Sequence, residues 1–213
     1  MASTAFEYSV FVNCPFDDEY RHVFESTVFA IHDCGYIARC ALEVNDSSQV
    51  RIEKICTIIA ACRFGIHDIS RTEVDSSTGL PRFNMPLELG LFLGAKRYGR
   101  GEQKQKSCLI LDVDRYRFQK FISDIAGQDI AAHGGEVART IRAVRDWLSN
   151  ATPKSIKMPG GAAIARRYAL FRAELPEICE RLQLRVEELT FNDYALQVEE
   201  WLKLNGRHGL TPR

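Results

Sequence analysis

The sequence predicts an α/β protein with parallel strands, on two observations. Over the first 112 residues, short runs rich in β-branched and aromatic residues alternate with amphipathic stretches of helical period, the pattern left by strands joined through helical crossovers. The composition, 46% hydrophobic and 26% charged over 213 residues, is that of a globular chain. At this length folding buries about 70% of the surface an unfolded chain exposes, so the core closes without disulfide or metal.

The elements follow in order. Phe6 to Asn13 (FEYSVFVN) is aromatic and β-branched and stops just before Cys14-Pro15, a first strand. Tyr20, Val23, Phe24, Thr27, Ile31 and Cys34 recur at three- and four-residue steps, and Gly35 stops that helix. Tyr36 to Leu42 reads as a second strand. Gln49 to Cys62 sets Ile52, Ile55, Ile58 and Ile59 on one helical stripe, with Ser47 and Ser48 as candidate caps. Phe64 to Ile69 is a third strand and Ser107 to Asp112 a fourth. Between them a polar stretch, Ser70 to Arg82, precedes a helical pattern over Asn84 to Arg97. Val137, Ile141, Val144 and Leu148 define a helix ending near Asn150.

Two Pro and two Gly in Thr152 to Gly161 mark a boundary. Residues 1–150 are expected as the α/β domain, 151–205 as a helical C-terminal extension, and 206–213 (GRHGLTPR) as a disordered tail. The extension holds one helix over Ala162 to Leu184, interrupted at Pro176, and a second opened by a Thr190/Asp193 capping pair.

Twenty-eight basic residues balance 28 acidic ones, so no overall field draws the chain to DNA or to anionic lipid. The seven Cys are odd in number and dispersed, the usage of buried, reduced thiols; His32, Cys34 and Cys40 do not have zinc spacing. The opening MASTAFEYSVFVN is not patterned as a signal peptide, and no apolar run approaches the roughly 20 residues that span a bilayer. A cytoplasmic protein without membrane contact is expected.

In an open parallel sheet, ligands bind beyond the carboxyl ends of the strands, which directs attention to three loops. The first, Asn13-Cys14-Pro15-Phe16-Asp17-Asp18-Glu19-Tyr20, lacks GxGxxG, and its acids disfavour a phosphate at the following helix. Asp17 or Asp18 caps that helix and Phe16 staples it, or Asn13 and an Asp grip sugar hydroxyls while Phe16 covers a base; the readings are compatible. The second, Asp68-Ile69-Ser70-Arg71, offers an acid, a hydroxyl and a candidate phosphate-binding guanidinium, or a turn closed by an ion pair. The third leads through Phe83 into Asn84-Met85-Pro86-Leu87-Glu88-Leu89-Gly90, where Asn84 is a candidate cap. Here Glu88 sits in the first helical turn among leucines, on a helix that reads as buried on most sides, with Gly90 and Gly94 as a face for close packing.

Pro86-Leu87-Glu88-Leu89-Gly90, following an Asp-bearing strand end, resembles the site helix of nucleoside 2-deoxyribosyltransferases and the related TIR-like NAD-cleaving domains. The resemblance covers about residues 6 to 112 and implies a flavodoxin-like (TIR-like) sheet flanked by helices. It further implies Glu88 as the carboxylate facing or attacking the sugar, Asp68 as a polar contact, and Asn13, Pro15, Phe16 and Asp17 as part of the sugar and base pocket. Ser70, Arg71, Phe83 and Asn84 complete the expected substrate contacts. The acid that these transferases place shortly before the glutamate is replaced here by Arg82, Phe83 and Asn84.

The chemistry is coherent on its own terms. Cleaving an N-glycosidic bond builds positive charge on the sugar, and a carboxylate beneath the anomeric carbon stabilises it or attacks it. Asp68, Asp17 and Asn84 are the candidates to supply the proton or hydrogen bond that lets the base leave, with Asp68 the second expected catalytic residue. The expected activity is that of an N-glycosidase or deoxyribosyltransferase on a nucleotide or nucleoside, with no cofactor and NAD only as a possible substrate. A non-catalytic nucleotide sensor or TIR-type interaction module is the alternative. His32, His67 and His133 read as core or loop residues, and Arg166, Arg167 and Arg172 as a solvated helix face. Asn192, Asp193 and Tyr194 read as a capping group that, in a homo-oligomer, would complete a neighbour's pocket.

Overall fold

A computed structural model describes residues 4–74, 79–153 and 156–205; the expected tail and part of the 70–82 loop lie outside them. Strands β1 (Ser9–Asn13), β2 (Ile37–Arg39), β3 (Phe64–Asp68), β4 (Ser107–Asp112) and β5 (Ile130–Ala132) make one sheet in the order β2-β1-β3-β4-β5. Every pairing is parallel. This is the flavodoxin-like order, in which the direction of winding reverses between β1 and β3 and opens a crevice there. Helices α1 (Thr4–Tyr8), α2 (Arg21–Asp33), α3 (Arg51–Ala60), α4 (Asn84–Tyr98), α5 (Val137–Ala151), α6 (Gly161–Arg181) and α7 (Phe191–Leu204) accompany it. Among the described residues no helix is long and apolar enough to cross a membrane.

Several local rules explain these bounds. Helix α2 ends in a Schellman turn, with the Tyr36 N–H reaching Ile31 O (3.0 Å) and Gly35 at φ 95°, a left-handed position that glycine takes without strain. Within β3, a Cβ on Gly65 would meet the Phe92 ring at 2.7 Å; the missing side chain is what lets α4 lie against the strand.

The structure corrects several expectations. Thr4 to Tyr8 is helical, so the first strand starts at Ser9 rather than Phe6. Its local cause is the Ser9 hydroxyl, which donates to Ala5 O at 2.7 Å. The second strand shortens to three residues. Helix α3 starts after Val50 with no side-chain cap, because the Ser48 N–H and hydroxyl are spent on Asp46, and Ile52 faces solvent. Pro176 does not interrupt α6; Phe171, Leu175 and Cys179 on either side of it are buried, and that packing offsets the lost backbone bond. Strand β5 was not foreseen, being only three residues long.

One hydrophobic cluster runs from β1 and α2 through α5 into α6 and α7, uniting Val10, Phe29, Val144, Phe171 and Trp201. Two smaller clusters fill the α3–α4 side of the sheet. Arg166 and Arg172 are exposed as expected, whereas Arg167 is half-buried. Arg167 pairs with Asp33 (2.6 Å) and Arg172 with Glu25, two acids that α2 buries. Thr190 and Asp193 do form the capping box.

Candidate functional site

The crevice between β1 and β3 is walled by the β1–α2 loop, the end of β3 and the start of α4. Asn13, the last residue of β1, is buried. Its amide donates to Met85 O (2.8 Å) and lies 3.1 Å from His67 Nδ1. These bonds tie the first turn of α4 to the central strands, so Asn13 positions the helix. His67 packs edge-on against Phe92 (4.9 Å), and burial, with Lys106 nearby, drives its pKa down to about 3. It is a neutral ring in the core.

Glu88 lies in the second turn of α4, since the helix begins at Asn84 with Phe83 at the cap position. The expected first-turn dipole stabilisation is therefore weak. Helix α4 is buried on one face only. Met85, Glu88, Leu89 and Phe92 point inward, Leu87 is exposed, and Gly90 and Gly94 have open space where a Cβ would stand. The close packing expected at those glycines is not present among the described residues. Glu88 is 7% exposed, and no hydrogen bond reaches its carboxylate among the described residues. Burial pushes its pKa up to about 7 against the opposing pull of Arg51.

Across the crevice, Asp68 is completely buried at the end of β3. Tyr20 donates its phenol to Oδ2 (2.5 Å), and the Ser70 N–H donates to Oδ1 (2.8 Å). The His133 Nε2 stands 2.9 Å from Oδ2, a close contact without the alignment of a hydrogen bond. The Gly135 N–H donates to His133 Nδ1 (2.9 Å), which leaves the proton of a neutral ring on Nε2, toward Asp68. Burial and the Asp68 carboxylate together hold the Tyr20 phenol well above its usual pKa. Asp68 thus ties together the loops after β1, β3 and β5. At the end of β4, Asp112 takes N–H bonds from Val113 (2.7 Å) and Arg117 (2.8 Å), and Arg117 goes on to Ile69 O (2.7 Å).

Sequence reasoning passed over His133, Tyr20 and the Asp112–Arg117 pair. Tyr20 fits the apolar stripe of α2. For His133 and Asp112 the available signal was position: Asp112 ends a strand as Asp68 does, and His133 follows β5 before Gly134 and Gly135, both at positive φ.

The other expected contacts divide by exposure. Phe16, Phe83 and Asn84 face solvent, whereas Pro15 and Ser70 are buried. Arg71 contacts Asp17 (3.2 Å) and Glu19, so its guanidinium bridges the first two loops. Cys14 sits where the fields of Asp68, Glu88 and Asp17 overlap, and burial followed by these charges raises its thiol pKa well above the ordinary value.

Two clefts open beside these groups. One, about 190 Å³, lies between the β1–α2 loop and α7, with Phe16, Phe24, Leu42 and Phe191 among its walls. The other, about 320 Å³, is bounded by Glu19, Arg71, Glu73 and Arg82. Asp17 and Asp18 line both, and Glu88 lines neither. Fold and site together define a flavodoxin-like α/β protein with an acid-rich crevice at its switch point. Comparison with protein-family models, with characterised proteins and with solved structures finds no match.

Proposed function

We propose that this protein cleaves the base–sugar bond of a nucleotide or nucleoside, as an N-glycosidase or deoxyribosyltransferase, with Glu88 as the reacting carboxylate. The observation that carries this reading is Glu88 itself, a buried acid on α4, the helix that Asn13 ties to the end of β1, with a pKa that burial raises to about 7. Burying a carboxylate with no hydrogen-bonded partner opposes folding, and acids held this way concentrate where chemistry needs them.

In the proposed reaction the ionised Glu88 attacks the anomeric carbon. The carbon–nitrogen bond breaks and its electron pair leaves with the base. Water then hydrolyses the glycosyl ester, or an acceptor base takes the sugar. Asp17 lines both clefts and, with Oδ1 held by the Tyr20 N–H and Arg71, offers Oδ2 to a donor group of the departing base. Asp68 and Asn13 act as positioning residues, because their side chains are occupied within the protein. NAD is a candidate substrate rather than a cofactor.

The absence of Glu88 from both cleft linings favours one other reading, a nucleotide-binding sensor without turnover. Purified protein is incubated separately with NAD, deoxynucleosides and nucleotides, and free base is resolved by chromatography, with Glu88→Gln as control. Base release abolished by that substitution supports catalysis; saturable binding without release transfers the assignment to the sensor.

A further inference from the structure

We infer that the smaller cleft is a base subsite walled by the C-terminal helix of the same chain, and that it selects a nucleobase carrying an exocyclic amino group. The assignment of a nucleoside ligand rests on the reading above; the cleft's own chemistry supplies the preference.

Size and lining come first. An apolar cavity of about 150 Å³ holds benzene, so 190 Å³ admits a heteroaromatic ring but not a whole nucleoside. Phe16 remains 39% exposed although it packs edge-on against Phe24 at 5.2 Å, and Phe24 in turn meets Phe191 at 6.1 Å. A planar ring entering the cleft covers that aromatic surface.

The polar groups then decide which ring. Arg21 is committed to Glu25 (2.9 Å), Val186 O (2.6 Å) and Glu187 O (3.1 Å). The Thr190 hydroxyl donates to Asp193 (2.6 Å). Asp17 Oδ1 takes the Tyr20 N–H (3.0 Å) and Arg71 (3.2 Å), so the exposed Asp18 carboxylate is the group left to meet a ligand at the opening, and a carboxylate only accepts. A carboxylate at that rim accepts from an exocyclic amino group and is repelled by the carbonyl that replaces it on deamination, which favours adenine or cytosine over hypoxanthine or uracil at that one position.

The wall is built rather than incidental. The Asn192 side chain donates to Glu43 O (3.0 Å), and the Tyr194 phenol donates to Glu25 O (3.1 Å), fixing α7 to the β2 loop and to α2. Tyr194 thus lines the cleft in its own chain, and Asn192 braces the helix that walls it.

Equilibrium binding by titration calorimetry tests this with adenosine, inosine, cytidine and uridine, on the full chain and on Phe16→Ala, Leu189→Trp and Asp18→Asn. Phe16 is at the surface and Leu189 half-buried, so both variants should fold; circular dichroism checks this. Adenosine and cytidine should bind about tenfold or more tightly than inosine and uridine. Phe16→Ala and Leu189→Trp should each weaken adenosine about tenfold, and Asp18→Asn should erase the preference. Equal binding within each base pair, no binding of any of the four, or unchanged affinity in both cleft variants overturns the inference. Adenosine binding without base release would instead overturn only the catalytic reading.

Discussion

Glu88 and His67 are buried ionisable residues whose pKa shifts have opposite consequences for stability. Glu88 has a folded pKa of about 7, above its unfolded value, so the native state holds its proton more tightly and stability falls as pH rises from about 4.5 through 7. The loss is about 3 kcal/mol at most. Glu88→Gln should therefore raise the midpoint of thermal unfolding at pH 8 and change it little at pH 4.5. A gain of the same size at both pH values would mean that ionisation is not the cause. His67 runs the other way. Its folded pKa of about 3 lies below the unfolded value, so the stability of the neutral ring is present above about pH 6.5 and lost as pH falls toward 3. If Glu88 attacks as an anion, base release should rise with pH through about 7 and then level off. A rate that falls over that interval would make Glu88 the proton donor instead. That the acid was legible in the sequence while its setting was not has a physical cause: a Glu amid leucines is visible locally, but the turn it occupies depends on where the helix starts.

Helix α4 shows how far pattern reaches at the scale of an element. Its length was legible from the i, i+4 leucines, yet its inward face was not, because leucine occurs on both sides: Leu89 is buried and Leu87 is 55% exposed. The glycines mark the difference. Gly90 and Gly94 sit mid-helix with nothing within contact of a Cβ, so each leaves about 1 kcal/mol of helix stability unclaimed. Alanine at either site should raise the unfolding midpoint by roughly 2–4 °C; a decrease at both would show that the face is covered in solution. Gly65 in β3 should behave oppositely, since its Cβ would collide with Phe92 at 2.7 Å. Strands β1, β3 and β4 were readable because buried parallel strands are continuous apolar runs. Strand β5, three residues long, is defined by its pairing with β4 and carries no such signal. The Asp68–His133 contact was hidden for a related reason, since two residues 65 apart in sequence meet only once β4 and β5 are paired.

At the scale of the whole molecule, the predicted boundary near residue 150 falls between α5 and α6, but the hydrophobic core does not stop there. Helix α2 is buried continuously from Val23 to Asp33, which an amphipathic surface helix would not be. Its outer side is covered by Phe171, Tyr194, Val198 and Trp201 from α6 and α7, with Phe29 ringed by Tyr168, Phe171 and Trp201 at 5.4–6.0 Å. Two acids on α2 depend on the same helices, Asp33 through Arg167 and Glu25 through Arg172. A chain ended at Thr152 would expose that apolar surface and strip both carboxylates of their α6 partners. It should lose the near-ultraviolet circular dichroism of packed aromatics and bind a hydrophobic dye, whereas the full chain should unfold in one cooperative transition with coincident helical and aromatic signals. Cooperative unfolding of the shortened chain within a few degrees of the parent would instead make the C-terminal helices an independent appendage. The same deletion removes Leu189, Thr190, Phe191 and Tyr194 from the smaller cleft, so shared packing would join the fold's stability to the pocket's shape.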